Sequence, residues 1–479
     1  MKLRKKQHKY KHVHIYTFFK YVSRFMYLLI IPLIQHLLLQ PESLIGFIGA
    51  MGFNIFCVIL LLSLSFSEYR SAKYHSTNEE FSFRKGCIMH RRAKIPREAI
   101  ETVFVQRTFV SRLFGARKLH IDTPAVGNSS TDVNLYLNKK STEALIDTIY
   151  PREDKPSVYK SSNFRILIMA ATWSNSFTGY LLFVPFINKV GDILGKEFSE
   201  MLLSKVNVSI YLASIGIPPL AATIGSIMLI GWVVSFLSQF FRYFGFKTEI
   251  YKDYIEINRG LINTDRNIIP IDKINVLQIK QSLIMIPMKL YGAFAYTISS
   301  GKTKGDKSML IPAQPYDSVV GALDKMLPFN RDESDKVRPE KVEIISYLLV
   351  PFFIMLGLTA VLIIMLYFKI QHEIIVLYTL LSFIIVVILF ILMTIAHKRS
   401  FLAANESCVV VSSYKGFSIT KSIIPFSKIQ CVVVRRSIFQ QLGSDCTVKI
   451  YAYGEKSNCF IVRQLDHKKV VKLLNKLYK

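Results

Sequence analysis

The chain has 479 residues, 51% of them hydrophobic and 13% aromatic, with a mean hydropathy of +0.32. That is too apolar for an ordinary soluble protein and too aromatic for a disordered one, and six cysteines in so long a chain do not make a disulfide scaffold. Sixty-one basic against 33 acidic residues leave a net charge of +28, so an anionic partner or surface is expected.

The amino terminus carries Lys2, Arg4, Lys5, Lys6, Lys9, Lys11 and Lys20 with no acid, directly before an apolar run. This pattern reads as a cytoplasmic membrane flank (1–20) in preference to a nucleic-acid-reading arm. Six runs are long enough to cross a bilayer, which takes about 20 apolar residues in a helix. They come in pairs. The first pair, 21–39 and 44–66, is separated by Gln40, Pro41, Glu42 and Ser43. The second, 164–187 and 208–241, is diluted by Trp173, Ser174, Asn175, Ser176 and Thr178 and interrupted by Pro218 and Pro219, which should kink the fourth span or start it late. The third pair, 344–368 and 374–396, is the most apolar. No small-residue cleavage site follows the first run, so a removed signal peptide is not expected. An even number of spans between them returns every long polar segment and the carboxyl terminus to the cytoplasm, in agreement with Arg242, Lys247, His397, Lys398 and Arg399 after the even spans.

The segments after the hairpins, 67–152, 242–330 and 397–479, share one pattern. Gly86, Gly260 and Gly416 precede Pro96, Pro270 and Pro425 by ten, ten and nine residues, and each proline is followed four residues on by Ile100, Ile274 or Ile429. Later glycines Gly115, Gly292 and Gly443 follow the prolines by 19, 22 and 18 residues. The first glycine of each set separates β-rich runs and suits a hairpin turn, the proline stops a strand because it has no N–H to donate, and runs such as Val103-Phe104-Val105 and Val432-Val433-Val434 resume pairing. Stretches 141–150, 317–327 and 466–478 read as closing helices; in the last, Val470, Val471, Leu474 and Leu477 share a face. Each module is therefore expected to be a short, mainly antiparallel β barrel closed by a helix, giving three α+β units alternating with α-helical hairpins.

The Gly86, Pro96, Ile100, Gln106-Arg107, Leu113-Phe114-Gly115 pattern behind a two-helix hairpin resembles the bacterial membrane-associated pleckstrin-homology-like domain of the second class, and the tripled layout resembles the three-copy type of Bacillus and relatives. The second copy has Gln281-Ser282 and a later Leu290-Tyr291-Gly292, and the third has Arg435-Arg436-Ser437 without the glutamine. The resemblance implies a multi-pass cell-membrane protein, a smaller membrane companion with one such module, and a role in envelope maintenance or defence against membrane-active compounds.

Gly301-Lys302-Thr303 lacks the earlier glycine of a phosphate loop, since Tyr296 stands there, and reads as a solvated basic loop. The cysteines Cys57, Cys87, Cys408, Cys431, Cys446 and Cys459 form no CxxC and no Cys/His cluster at zinc spacing. His120 with Asp122, and Asp445 near His467, are scattered pairs without a defined cleft. Neither catalytic, metal nor cofactor residues are expected, and the protein is read as a non-enzymatic scaffold. The candidate partner-binding cluster is Arg84, Lys85, Arg91, Arg92, Lys94, Arg97 and Arg107, which could hold anionic lipid headgroups or serve only as general juxtamembrane positivity. Gly46, Gly49, Ala50 and Gly52 would admit a partner helix or merely close the first hairpin. A transporter with a pathway between the hairpins is the alternative; the Pro218-Pro219 break favours it, and the scarcity of ionisable residues within the spans speaks against it.

Overall fold

Proline and glycine punctuate the three repeats in the same way, and the structure shows why. In this computed structural model, β4 (Arg91–Pro96), β11 (Thr264–Pro270) and β18 (Ser418–Pro425) all end on the repeat proline, and each runs into a short 3-10 turn, at Arg97–Ala99, Ile271–Lys273 and Phe426–Lys428. Without an N–H the ring cannot extend a ladder, and its fixed φ, −59° at both Pro96 and Pro425, suits the turn. The following isoleucine returns the chain to the core: Ile100 and Ile274 are buried, Ile429 half-buried. Gly86 and Gly260 take positive φ (103° and 105°) in the turns before β4 and β11.

The residues described are 10–25, 44–86, 90–123, 133–152, 154–174, 219–282, 285–297, 308–326, 335–340, 344–368, 372–405, 407–415, 418–453 and 458–475, with isolated positions between 179 and 201. The first span beyond Phe25, much of the third, Pro218, the loop with Gly301, Cys87 and Gly416 lie outside them. Helices α1 (Tyr16–Phe25), α2 (Leu44–Ser71), α5 (Asn163–Trp173), α6 (Pro219–Tyr243), α8 (Ile344–Tyr367) and α9 (His372–Arg399) occupy the apolar runs. Among the described residues, three stretches are long and apolar enough to cross a membrane: Thr223–Tyr243, Tyr347–Tyr367 and Tyr378–Arg399. The opening of the third predicted span behaves differently. α5 buries Ile166, Met169 and Ala170, and Arg165 Nη1 donates to Gln314 Oε1 of the neighbouring sheet, so this part of the run packs on protein.

The chain divides into two compact units, Met1–Val158 with Glu249–Pro270, and Tyr159–Thr248 with Ile271–Lys479. The cut falls inside the second repeat, directly after its proline. In the first unit β1 (Lys11–His12), β2 (Lys73–Ser76), β3 (Glu80–Lys85) and β4 make one antiparallel sheet in that order. β5 (Thr102–Arg107), β6 (Ala116–Asp122) and β7 (Val133–Asn138) make a second, and its β5 edge is extended by β11 and β10 (Tyr254–Arg259). One core joins them: Tyr74, Phe81, Phe83 and Ile95 from the first sheet, Val103, Leu119, Ile121, Leu135 and Leu137 from the second, Leu145, Ile146 and Ile149 of helix α4 (Lys139–Ile149), and Tyr254 and Ile268 of the second repeat. α4 opens two residues earlier than its sequence suggests, because Asn138 caps it by accepting from Ser141 N at 2.7 Å.

The second unit repeats the arrangement. Its larger sheet runs β14 (Ser308–Pro315), β13 (Leu290–Tyr296), β12 (Val276–Ser282), β18, β17 (Cys408–Lys415), β16 (Phe401–Ala404), β15 (Lys336–Val337), and its smaller one β19 (Ile429–Arg435), β20 (Asp445–Ala452), β21 (Asn458–Asp466). Helices α7 (Tyr316–Met326) and α11 (His467–Asn475) follow the two C-terminal strand sets, and α11 buries Val470, Leu473 and Leu474. Among the described residues no sheet closes on itself; the modules are stacked open antiparallel sheets with a helix.

The two junctions between repeats use one register. Across β5 and β11, Val103 faces Ile268, Phe104 faces Asn267 and Gln106 faces Asp265. Across β12 and β18, Leu277 faces Ile423, Gln278 faces Ser422 and Lys280 faces Thr420. Counted from the repeat prolines the two pairings are identical.

Candidate anion-facing site

The candidate cluster lies mainly on the first sheet, and strand alternation divides it. On β3 and β4 the positions of Phe81, Phe83 and Ile95 face the core. The opposite face carries Arg84, Arg92 and Lys94, all exposed. Register then extends this face across four strands, since His12 pairs with Lys73, Lys73 with Arg84, and Arg84 with Arg92. Four basic-type side chains thus stand in one cross-strand row. Like charges placed directly opposite destabilise a sheet, and among the described residues only Lys94 of this face, one step along, has an acidic neighbour, Glu80 Oε1 at 3.7 Å. His12 and Lys73 were missed in the sequence because the row exists only once the strands are paired.

The row stands beside the C-terminal end of α2. α2 ends at Ser71, two residues before β2, and Ser71 Oγ accepts from Gly86 N at 3.1 Å. Lys85 falls on the other face, its Nζ 4.6 Å from the centre of the Tyr21 ring on α1. Arg91, opposite Lys85, shares that side. Arg97 is exposed in the 3-10 turn.

Arg107 is not part of this face. It ends β5, opposite Thr264, and burial together with Arg117 and Arg112 lowers its pKa. The stretch around it docks the next repeat. The short helix α3 (Phe109–Leu113) presents Arg112, whose Nη2 donates to the carbonyls of Leu261 (3.3 Å) and Ile262 (3.2 Å), while Phe109 N donates to Asn263 Oδ1 at 3.2 Å. Beside it lies an ionic network that periodicity does not reveal. Arg266 donates through Nη1 to Glu143 Oε2 and through Nη2 to Glu256 Oε2, both at 2.7 Å, and Arg117 Nη1 donates to Glu143 Oε1 at 2.6 Å. Burial pushes the Glu143 carboxyl up, but the hydrogen bonds and charges of Arg266 and Arg117 outweigh it and hold the group below the usual carboxylate range.

The later glycines differ in role. Gly115, after α3, takes φ +68°. In the third repeat Gly443 occupies a turn and the positive φ, 61°, passes to Ser444. In the second, Lys289 carries it (53°) and Gly292 lies within β13, where a Cβ would meet the Trp173 ring of α5 at 3.5 Å. The wider spacing of the second repeat reflects this change of function.

His120 and Asp122 do contact on β6 (2.6 Å), braced by Thr102 and Asn134 from the flanking strands. Among the described residues no group of three or more His, Cys, Asp or Glu is placed to hold a metal ion, and the five described cysteines are free thiols.

The family described as Bacterial PH domain matches residues 30–153, 207–303 and 348–479, well over half of the chain. The chain belongs to this family. It is also similar to the UPF0699 transmembrane protein YdbT of Bacillus subtilis (strain 168), with 23% identity over 314 residues, covering 59% of this chain and 62% of the relative. The chain thus matches less than two thirds of that relative's length. This protein is a membrane protein built on repeated bacterial PH domains.

Proposed function

We propose that this bacterial PH-domain protein is a non-enzymatic scaffold of the cell membrane, whose first module lays a basic sheet face on the anionic inner leaflet. In this reading the chain crosses the bilayer six times, with both termini cytoplasmic and each module of stacked open sheets lying beneath its hairpin. Arg70, Arg242 and the His397-Lys398-Arg399 cluster at the ends of α2, α6 and α9 support that orientation. The carrying observation is the row of His12, Lys73, Arg84 and Arg92 at the foot of α2. Lys73, Arg84 and Arg92, which have no acidic partner among the described residues, cost sheet stability when stacked, and an anionic surface offsets that cost, each basic residue near the leaflet contributing about 1 kcal/mol. Held there, the modules organise a complex with a smaller membrane protein carrying one such domain, in maintenance or defence of the envelope.

The test uses full-length protein in nanodiscs of neutral lipid, titrated with vesicles containing phosphatidylglycerol. Arg84→Glu, Arg92→Glu and Lys94→Glu together should lower vesicle association by at least a hundredfold at low salt, and wild-type association should fall steeply with ionic strength. Unchanged association in the triple variant refutes the lipid-facing role.

A further inference from the structure

Two of the three C-terminal strand sets are covered at their first strand: β5 by β11 and β12 by β18. The third set, β19-β20-β21, carries the same first strand at the edge of its sheet. Among the described residues β19 is paired only with β20. Its aliphatic positions show the difference. Val103 and Val105 on β5, and Leu277 and Ile279 on β12, are buried at 3% exposure or less, whereas Val432 and Val434, which stand at the same distances from their proline, are only half-buried, and Val433 is exposed. An edge of seven residues that is largely β-branched and carries a single charge, Arg435 at its end, is what natural sheets avoid leaving open.

The occupant is indicated by the two junctions already filled. In both, the covering strand is the proline-terminated fourth strand of another PH module. The residue ten after the proline of the covered module faces the residue five before the proline of the covering one: Gln106 faces Asp265, and Lys280 faces Thr420. On β19 that position is Arg435. The chain's own remaining fourth strand, β4, would bring Arg91 opposite it, with Arg92 and Lys94 alongside, so a second copy meets like-charge repulsion. We infer that β19 is a docking edge whose occupant is the proline-terminated fourth strand of a PH module in a different polypeptide, bearing an acidic or hydroxyl residue five positions before its proline. The partner adds its sheet antiparallel to β19 in the register of the two internal junctions, which places the residue three before its proline against Val433. This deepens the scaffold reading by specifying the class of partner, and it is independent of the lipid-facing row on β4.

The experiment places a photocrosslinking amino acid at Val433 of the full-length protein in native membranes and maps the crosslinked peptide. The expected adduct lies on a strand of another PH-module protein, at the residue three before a strand-ending proline. Arg435→Glu should reduce that adduct at least fivefold and bring up a copy-to-copy adduct at Ala93, because Arg91 then faces an acid. An adduct at Ala93 with wild-type Arg435, adducts to lipid alone, no adduct, or a yield indifferent to Arg435→Glu would each overturn the proposal. Thermal unfolding of each variant, unchanged from wild type, certifies that β19 is intact. Vesicle association is expected to be unaffected by Arg435→Glu, which separates failure here from failure of the lipid-facing role.

Discussion

Replacing Arg266 by methionine removes the charged fork and keeps most of the stem. The side chains of Arg266 and Glu256 are 13% and 5% exposed, so this pair is buried, while Glu143 at 30% is partly solvated. Removing one member of a buried pair costs about 3–5 kcal/mol, chiefly because the remaining charge is left desolvated. Here Glu256 keeps a hydrogen bond from Asn258 Nδ2 at 2.8 Å and has Arg152 Nη2 at 3.9 Å, and Glu143 keeps Arg117, so the lower end, about 3 kcal/mol, is expected. Adding Glu256→Gln removes the stranded charge and should restore at least about half of the loss. Pulse proteolysis across a urea series on the detergent-solubilised protein, with cleavage sites mapped to β5 and β11, measures both variants. A loss below about 1 kcal/mol for Arg266→Met, or no recovery in the double variant, would refute the assignment of this network as the clamp between the first repeat and the second.

Three further outcomes follow from the same unit. Glu143 has a folded pKa below its ordinary value of 4.5, so its contribution is complete above that value and is lost as pH falls through the lowered one; acid unfolding below about pH 4.5 should be less steep in Glu143→Gln, and an unchanged pH profile would contradict the ion pairing. Gly260→Ala puts a Cβ 1.9 Å from the Asn263 carbonyl oxygen at φ +105°, and should cost about 1–3 kcal/mol while exposing α3 to protease, since that turn supplies the acceptors of Arg112 and Phe109; protection of α3 unchanged from wild type would show the turn is not its dock. Asn138→Ala should cost about 1 kcal/mol by removing the α4 cap, with Asn138→Asp retaining most of it; equal losses would argue against capping.

Much of the repeat was legible because it is local. Pro96, Pro270 and Pro425 end strands by the absence of an N–H, and Gly86 and Gly260 sit where the backbone needs positive φ; both constraints act within a few residues and leave a spacing in the chain. The basic character of 84–97 was legible as composition, but its division was not. Alternation and pairing put Arg84, Arg92 and Lys94 with His12 and Lys73, send Lys85 to Tyr21, and leave Arg107 in a different sheet. Arg112, equally basic, is taken up in holding the next repeat.

Residue order was therefore sufficient for the apolar stretches 223–243, 347–367 and 378–399, the three repeats and the family, because lipid solubility and backbone sterics are properties of short stretches. Strand partnership depends on edges that approach from distant parts of the chain, and it alone set which half of one repeat joins which half of the next. That is why the compact units cut through the second repeat at Pro270, and why β19 stands out as the edge without a counterpart among the described strands.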